Sequence, residues 1–439
     1  MTVSSNLIIN NSNPFEGEVS IPGDKSITHR AIMISSLCNG KINISNALVS
    51  DDCKHTINVF RELGVNIEIK DDMVSVTGKG LTSLKKPNKK LYAGNSGTLM
   101  RIIAGILATQ DFTSSISGDK SLNTRPMKRI EDPLKMFGAN IISKNSMPPL
   151  SFKPSKSLKP ISYVSNLPSA QVKSCLIFAA LFIDGTSVIT EKTKTRDHTE
   201  RLLEYLEYPI SIEDNAINIF GKKSFKCKDI VVPSDISSAA FFIVAALIRK
   251  DSKLVLKNIG INKLRIGLIE ILIEMGANIR VFNKSVICNE SVADIEVQYS
   301  ELKPINISGE KISRLIDELP ILFIACAVCK GISEFHDIGE LRFKESDRIK
   351  SMEEGLNVLG IKTLSTTDSL KIFGGSFNGG IVNSNHDHRV AMSFIVAGAI
   401  SKKPITVLNT ENIPTSFPNF KTTINGIGAE VYEVWVTYR

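Results

Sequence analysis

Two kinds of apolar segment alternate along the chain. One opens polar and then turns apolar almost all round, as in KSITHRAIMISSL, NSGTLMRIIAGILA, SAQVKSCLIFAALF, SDISSAAFFIVAALI, LIDELPILFIACAV and DHRVAMSFIVAGAI. A helix with no face to give to water is buried inside a domain. The other kind is an amphipathic helix that ends in an apolar residue, a glycine and a short strand-like run: ELGVNIEI, MFGANIIS, EMGANIRV, VLGIKTLS and GIGAEVYE. The glycines, Gly64, Gly138, Gly276, Gly360 and Gly428, sit where a left-handed C-cap costs glycine little. Midway through the double gap between Gly138 and Gly276, YLEYPISIED has the same shape without the glycine, and Tyr208 is taken to mark that third copy. Successive marks then lie 74, 70, 68, 84 and 68 residues apart. A chain of 439 residues therefore divides into six copies of about 73.

Short β-branched stretches such as GEVSIP, MVSVTG, NAINIFG, KLVLKNIG and SLKIFGG fall between the helices, so each copy is an α/β unit with one buried and one amphipathic helix. One hydrophobic core rarely serves so long a chain. Two α/β domains of three copies each are expected.

Composition narrows the class. At 42% hydrophobic and 22% charged residues the chain is an ordinary globular protein. No apolar run reaches the roughly 18 to 20 residues of a membrane span, and MTVSSNLIINNSNPF lacks the charged and apolar regions of a signal peptide, so a cytoplasmic location is expected. Of seven cysteines, Cys38, Cys175, Cys326 and Cys329 stand in apolar surroundings and read as buried thiols. Cys326 and Cys329 form a C-x-x-C, but with no second ligand pair nearby. His29, His55, His198, His336 and His386 show no metal-ligand spacing, and no metal site is expected. The net charge of +8 is spread along the chain, which suits an acidic small substrate as well as a nucleic acid.

The polar openings of the buried helices carry the chemistry. A helix N-terminus presents unsatisfied N–H groups and the positive end of a dipole, both favourable to anions. The side chains there agree: Lys25, Ser26 and Arg30; Asn95, Ser96, Thr98 and Arg101; Ser169, Gln171 and Lys173; Asp317 and Glu318; Asp387, His388 and Arg389. Any one of these sets reads as a simple cap. Their recurrence in register points instead to a site for a polyanion, if several face one cleft.

Jointly, PGDKSITHRA, LYAGNSGTLMR, NTRPM, SAQVKS, TRDHTER, LIDELP, RFKESDRI and NHDHRVAM resemble the 5-enolpyruvylshikimate-3-phosphate synthases from end to end, and the branch called class II in particular. That resemblance implies the inverse α/β barrel fold of enolpyruvyl transferases, with two domains of three repeats. The chain would cross twice, giving one domain at about 21–233, the other at 1–20 plus 234–439, and an active site in the cleft between them. It also implies transfer of the enolpyruvyl group of phosphoenolpyruvate to the 5-hydroxyl of shikimate 3-phosphate, with release of phosphate, on the way to chorismate and the aromatic amino acids. Closure on binding shikimate 3-phosphate is expected. No metal or organic cofactor, nucleic acid or membrane is implied, and a monomer is expected.

Residue by residue, the resemblance sets shikimate 3-phosphate against Lys25, Ser26, Arg30, Ser169, Gln171, Arg196, Asp317 and Lys344. It sets phosphoenolpyruvate against Lys25, Asn95, Gly97, Arg125, Gln171, Arg348 and Arg389. Two phosphates and two carboxylates need this excess of lysine and arginine. Gly97 lets a ligand approach backbone N–H groups closely. Asp317 is expected to be the base for the 5-hydroxyl, and Glu345, between Lys344 and Arg348 by helical spacing, the acid toward the methylene carbon, with Lys25 at the junction of the two ligands. His388 reads either as a proton shuttle or as a hydrogen-bonded structural histidine.

Two departures stand out. The family lysine near the C-terminal TSFP segment is missing from IPTSFPNF, which leaves that charge dispensable or supplied by another lysine such as Lys421. Ala170 replaces a serine of the other branch, leaving Ser169 and Arg196 to compensate. The sister transferase acting on UDP-N-acetylglucosamine carries Lys-Asn where this chain has Lys25-Ser26, and a loop cysteine that SGDKSLNTRPM lacks. A relative of the RNA 3'-phosphate cyclases would need stacking aromatics among its basic residues, and aromatics are only 6% of the chain. A mere binder of phosphorylated metabolites would have no use for Asp317 and Glu345 together.

Overall fold

The computed structural model describes residues 4–166 and 168–436. The outermost residues of the expected second domain, 1–3 and 437–439, lie outside these. Contacts divide the chain into two compact units, a first of Gly23–Val232 with Val286–Glu290 and a second of Met1–Pro22, Pro233–Ser285 and Ser291–Arg439. Each has its own apolar core.

The first unit holds α1 (Lys25–Leu37), α2 (Asp51–Glu62), α3 (Gly97–Leu107), α4 (Lys128–Met136), α5 (Ala170–Leu181) and α6 (His198–Tyr205). The second holds α7 (Ile236–Ile248), α8 (Gly267–Glu274), the single turn α9 (Glu310–Ser313), α10 (Leu319–Ala327), α11 (Arg348–Val358), α12 (His388–Gly398) and α13 (Phe420–Gly426). In each unit three inner helices, α1, α3 and α5 or α7, α10 and α12, pack against one another as the core. Every residue of α7 and of α10 is buried, as a helix apolar on all sides must be. Gly105 of α3 shows how close the inner helices come: a Cβ there would lie 2.0 Å from the Cys175 carbonyl oxygen of α5.

Around each core lie three four-stranded sheets, one per copy, all with one topology. In the first copy Ile230–Val231, Asn39–Ser45, Met73–Lys79 and Asn66–Lys70 lie side by side in that order, the first pair parallel and the others antiparallel. The edge strand of each sheet comes from the end of the preceding copy, so three copies close into a ring. Ile230–Val231 at the end of the first unit returns to complete the first sheet. In the second unit the N-terminal strands do this work. Ser4–Ile9 completes the sixth sheet between Ile405–Leu408 and Val431–Val436, and Glu16–Val19 is the parallel edge of the fourth beside Lys253–Gly260. This ring closure is why the first 22 residues belong with the C-terminal half.

Gly64, Gly138, Gly276, Gly360 and Gly428 all have positive φ, from 88° to 117°. In the third copy the same position is filled by Glu207, at φ 53°, rather than by Tyr208, which is the residue after it. The steps are therefore 74, 69, 69, 84 and 68 residues. The long step comes from the hairpin Asn278–Ile287/Glu290–Gln298, whose strands have ten and nine residues against five and seven in the first copy, and from α9, which has no counterpart. Cys38, Cys175, Cys326 and Cys329 are buried. Burial pushes the Cys326 thiol up and that of Cys329 to about 11, which leaves the C-x-x-C protonated and unreactive. Among the described residues no group of three His, Cys, Asp or Glu is arranged to hold a metal ion, and no helix is long and apolar enough to cross a membrane.

A non-glycine residue in the left-handed region carries a steric cost that glycine avoids. Glu207→Gly is therefore expected to raise the thermal midpoint by roughly 2 °C, read by calorimetry, with the exposed Lys226 and Lys228 contacts of Glu207 giving back little. A lower midpoint would show that those two contacts outweigh the backbone cost.

Candidate active site

Five of the six inner helices are capped by an Asp or Ser side chain: Asp24 accepts from Ile27 N, Ser96 from Leu99 N, Ser169 from Val172 N, Asp235 from Ser237 N and Asp387 from Arg389 N. Each cap satisfies an orphan donor and fixes the register at which the following side chains leave the helix mouth. At the α1 mouth Lys25 Nζ lies 3.0 Å from Asp52 Oδ2. Arg30 points into the unit, donating to Thr199 Oγ1, to Ser174 Oγ and to the Ser26 carbonyl at 2.8 to 2.9 Å. His29 is buried, its Nδ1 2.6 Å from Thr56 Oγ1, and burial together with Lys25 and Arg30 holds its pKa well below the usual value.

At the α3 mouth Arg125 Nη2 donates to Asn95 Oδ1, and Asn95 Nδ2 to Asp119 Oδ2 at 2.7 Å. A Cβ on Gly97 would lie 3.0 Å from Arg101 Nη1 and 3.3 Å from Arg125 Nη1. Arg101 Nη1 donates to Gln171 Oε1 at 2.8 Å and Gln171 Nε2 to Thr98 Oγ1 at 3.1 Å, which joins the α5 mouth to the α3 mouth. Ser169 is the α5 cap, and Arg196 stands half-buried in the loop before α6.

In the second unit the sequence KESDR does not start a helix at Glu345. Lys344 through Asp347 are loop, Asp347 caps α11, and Arg348 is its first residue, because Asp347 accepts the Lys350 N–H at 3.0 Å. Arg348 is 1% exposed and meets three carboxylates: Asp387 through Nε at 2.8 Å, Glu345 through Nη2 at 2.6 Å and Asp317 through Nη1 at 3.7 Å. Burial opposes its charge, but Asp387, Glu345 and Asp317 outweigh it and push its pKa up. Asp387, fully buried, is penalised by burial and rescued by Arg348, which leaves it below the ordinary carboxylate range. Lys344 Nζ lies 3.3 Å from Asp317 Oδ1, and Arg389 Nη1 donates to the Asp317 carbonyl oxygen at 2.9 Å. Three cations thus surround Asp317.

The sequence model of the EPSP synthase (3-phosphoshikimate 1-carboxyvinyltransferase) family matches residues 9–424. The chain belongs to that family. A protein of Legionella pneumophila (strain Philadelphia 1) named 3-phosphoshikimate 1-carboxyvinyltransferase is 46% identical over 419 residues, 95% of this chain and 97% of its own. One of the same name from Ruthia magnifica subsp. Calyptogena magnifica is 45% identical over 97% of this chain and 99% of its own. The solved EPSP synthase of Acinetobacter baumannii superposes with a TM-score of 0.87 at 41% identity, covering 99% of this chain and 100% of that one. The enolpyruvyl transferase NikO of Streptomyces tendae, at 16% identity and a TM-score of 0.81, shares the fold over 99% of this chain and 100% of its own.

Within this EPSP synthase fold the expected residues gather by unit. Asn95, Gly97, Arg125 and Gln171 form one linked set, with Lys25, Ser26 and Arg30 at the neighbouring helix mouth. Asp317, Lys344, Glu345, Arg348 and Arg389 form the other. Lys421 joins neither set: in α13 it pairs with Glu433 of the last strand at 3.0 Å. His388 is buried in the first turn of α12. Sequence reading missed the carboxylates that pair with the cations, namely Asp52 for Lys25 and the buried Glu191 and Glu200 for Lys173. Glu318, singled out with Asp317 at the α10 mouth, has an Oε1 that accepts from Ser237 Oγ and lies 3.7 Å from Arg389. The dense charges of EKTKTRDHTER were the one available signal for Glu191 and Glu200.

Asp387→Asn keeps a competent cap and leaves Arg348 without its buried counter-ion, so it should cost about 3–5 kcal/mol in denaturant unfolding. Because the folded pKa of Asp387 lies below the unfolded value of about 3.9, its contribution is full above that pH and is lost as pH falls through the folded pKa. The variant should therefore lack that part of the acid dependence. A curve parallel to that of the unaltered protein at all pH values would show that the ionisation of Asp387 does not set the acid dependence.

Proposed function

We propose that the chain transfers the enolpyruvyl group of phosphoenolpyruvate to the 5-hydroxyl of shikimate 3-phosphate, releasing phosphate. The observation that carries the reading is Asp317 held among Lys344, Arg348 and Arg389 with Glu345 on the same buried arginine, in a chain 46% identical to a named 3-phosphoshikimate 1-carboxyvinyltransferase. Cations placed this way favour a doubly anionic substrate, and the two carboxylates supply a proton acceptor and a proton donor.

In this reading Asp317 takes the 5-hydroxyl proton as that oxygen forms its bond to C2 of phosphoenolpyruvate, and Glu345 gives a proton to C3. The tetrahedral product then breaks its C2–O bond to phosphate and returns a proton from the methyl group, which regenerates the C=C double bond. Arg125, Arg348 and Arg389 hold the phosphate and carboxylate of phosphoenolpyruvate, with Asn95, Gly97 and Gln171 beside them. Ser26, Arg30, Ser169, Gln171, Arg196 and Lys344 hold shikimate 3-phosphate, and Lys25 serves both. Arg348 Nη2 donates to Glu345 Oε2 at 2.6 Å, so a hydrogen-bonded cation helps hold the acid in place. The reading takes a cytoplasmic monomer that needs no metal or organic cofactor.

Phosphate release from purified protein, with each substrate omitted in turn, tests the assignment. Release should require both substrates and fall by at least about 100-fold in Asp317→Ala, the usual scale for losing a general base. Release that proceeds with UDP-N-acetylglucosamine instead would transfer the protein to the sister activity, and none with either acceptor would make it a binder. Gly97→Ala meets only the far ends of two flexible arginines, so it should fold normally and displace Arg125. Its KM for phosphoenolpyruvate should rise roughly tenfold, as for one weakened charge-assisted hydrogen bond, with the KM for shikimate 3-phosphate little changed.

A further inference from the structure

Lys173 sits on α5 two residues after Gln171, yet its side chain is 2% exposed. An ammonium group has three N–H donors, and here they meet three acceptors: Glu200 Oε1 at 2.7 Å, Glu191 Oε2 at 2.8 Å and the Thr195 carbonyl oxygen at 3.1 Å. No donor remains for a substrate anion, so Lys173 is not a phosphate ligand despite its place at a helix mouth. Its partners surround one short loop instead. Glu191 ends the strand Thr186–Glu191, Glu200 lies in the first turn of α6, and the loop between them carries Arg196. Thr195, immediately before Arg196, is tied twice, by its carbonyl to Lys173 and by its hydroxyl to Glu191 Oε1. Asp197, immediately after, is tied to Arg201 Nε at 2.9 Å.

We infer that Lys173 is a positioning residue that fixes the backbone on which Arg196 is presented, resting on the reading above in which Arg196 binds the phosphate of shikimate 3-phosphate. A flexible loop would have to be ordered at each binding event, whereas a loop already tied loses little further freedom. The electrostatics explain why a lysine is needed. Two buried carboxylates face each other at Glu191 and Glu200, and burial raises the Glu200 pKa even against Lys173. Lys173, held above the usual lysine range because Glu200 and Glu191 outweigh its burial, is what lets them approach. Without it they repel, and Thr195 moves with Glu191.

Steady-state kinetics with saturating phosphoenolpyruvate and varied shikimate 3-phosphate test this on Arg196→Met, Lys173→Met and the double variant. Arg196→Met should raise the KM for shikimate 3-phosphate at least about tenfold, the scale of a lost charge-assisted hydrogen bond. Lys173→Met should raise the same KM by roughly tenfold, with kcat and the KM for phosphoenolpyruvate within about twofold, and the double variant should be no worse than Arg196→Met, because the two act as one unit. Effects that multiply in the double variant, or a Lys173→Met protein that is only less stable, would overturn the inference while leaving Arg196 in its place. An unchanged KM in Arg196→Met would remove the reading of Arg196 and the inference with it. Should Lys173→Met fail to fold, Thr195→Val decides, since it keeps all three charges and cuts one tie. A rise of about threefold in the KM for shikimate 3-phosphate is expected there, and no rise would overturn the inference.

Discussion

A helix buried on every side meets polar surroundings only at its ends, and that constraint shapes this protein. The inner helices cannot place a charge along their flanks without stranding it in the core. Their polar residues are therefore concentrated at the N-terminal mouth, where orphan N–H groups need partners and the dipole favours anions. The Asp and Ser caps at Asp24, Ser96, Ser169, Asp235 and Asp387 answer the first need within the chain. The arginines and lysines beside them add positive charge at the same mouths. Fold and site follow from one arrangement, because the helices that build the core are the same ones that present the chemistry.

Repetition makes that arrangement and divergence makes it useful. In PGDKSITHRA and PSDISSAAFF the cap is the same aspartate, but Ile236 stands where Lys25 stands and Phe241 where Arg30 does. The α7 mouth has kept its cap and lost its cations, and Ser237 there engages Glu318 and Arg265 instead. The α10 mouth has gone the other way: Glu318 makes no cap bond, Pro320 occupies the first turn where the missing N–H costs nothing, and Asp317 is left to face Lys344 and Arg348. Copies that share a backbone thus differ in the sign of what they offer. A transferase handling two anions and a proton needs both kinds.

The periodic part of this was legible in the sequence because it is set by local rules. Six apolar helices, six amphipathic ones and the glycines that end them are visible as pattern. Tyr208 was placed one residue late because Glu207 carries no mark of its left-handed conformation, which tertiary context imposes. The ring closure by Ser4–Ile9 and Glu16–Val19 was not legible at all from local pattern, since a strand does not say which distant strand it joins. The site divides in the same way. The cations at helix mouths stand in recognisable motifs, whereas Asp52, Glu191 and Glu200 become significant only through partners remote in the chain. The helical spacing assumed around Glu345 failed for a physical reason, because the Asp347 cap starts α11 after that residue.

Those remote carboxylates bear on how so many cations can be held at helix mouths. Each principal cation is held by the protein's own acceptors: Lys25 by Asp52, Arg125 by Asn95, Arg348 by Asp387 and Glu345, Arg389 by the Asp317 carbonyl beside Glu318. Unpaired, these charges would repel one another and destabilise the fold around them. The pairs are not equivalent. Arg348 and Asp387 are 1% and 0% exposed, so their contact is shielded from water and fixes the guanidinium direction. Lys25 and Asp52, at 15% and 10%, lie nearer the surface, where a flexible lysine exchanges partners at modest cost. Deep pairs therefore set geometry, and shallow pairs are the ones that can exchange partners.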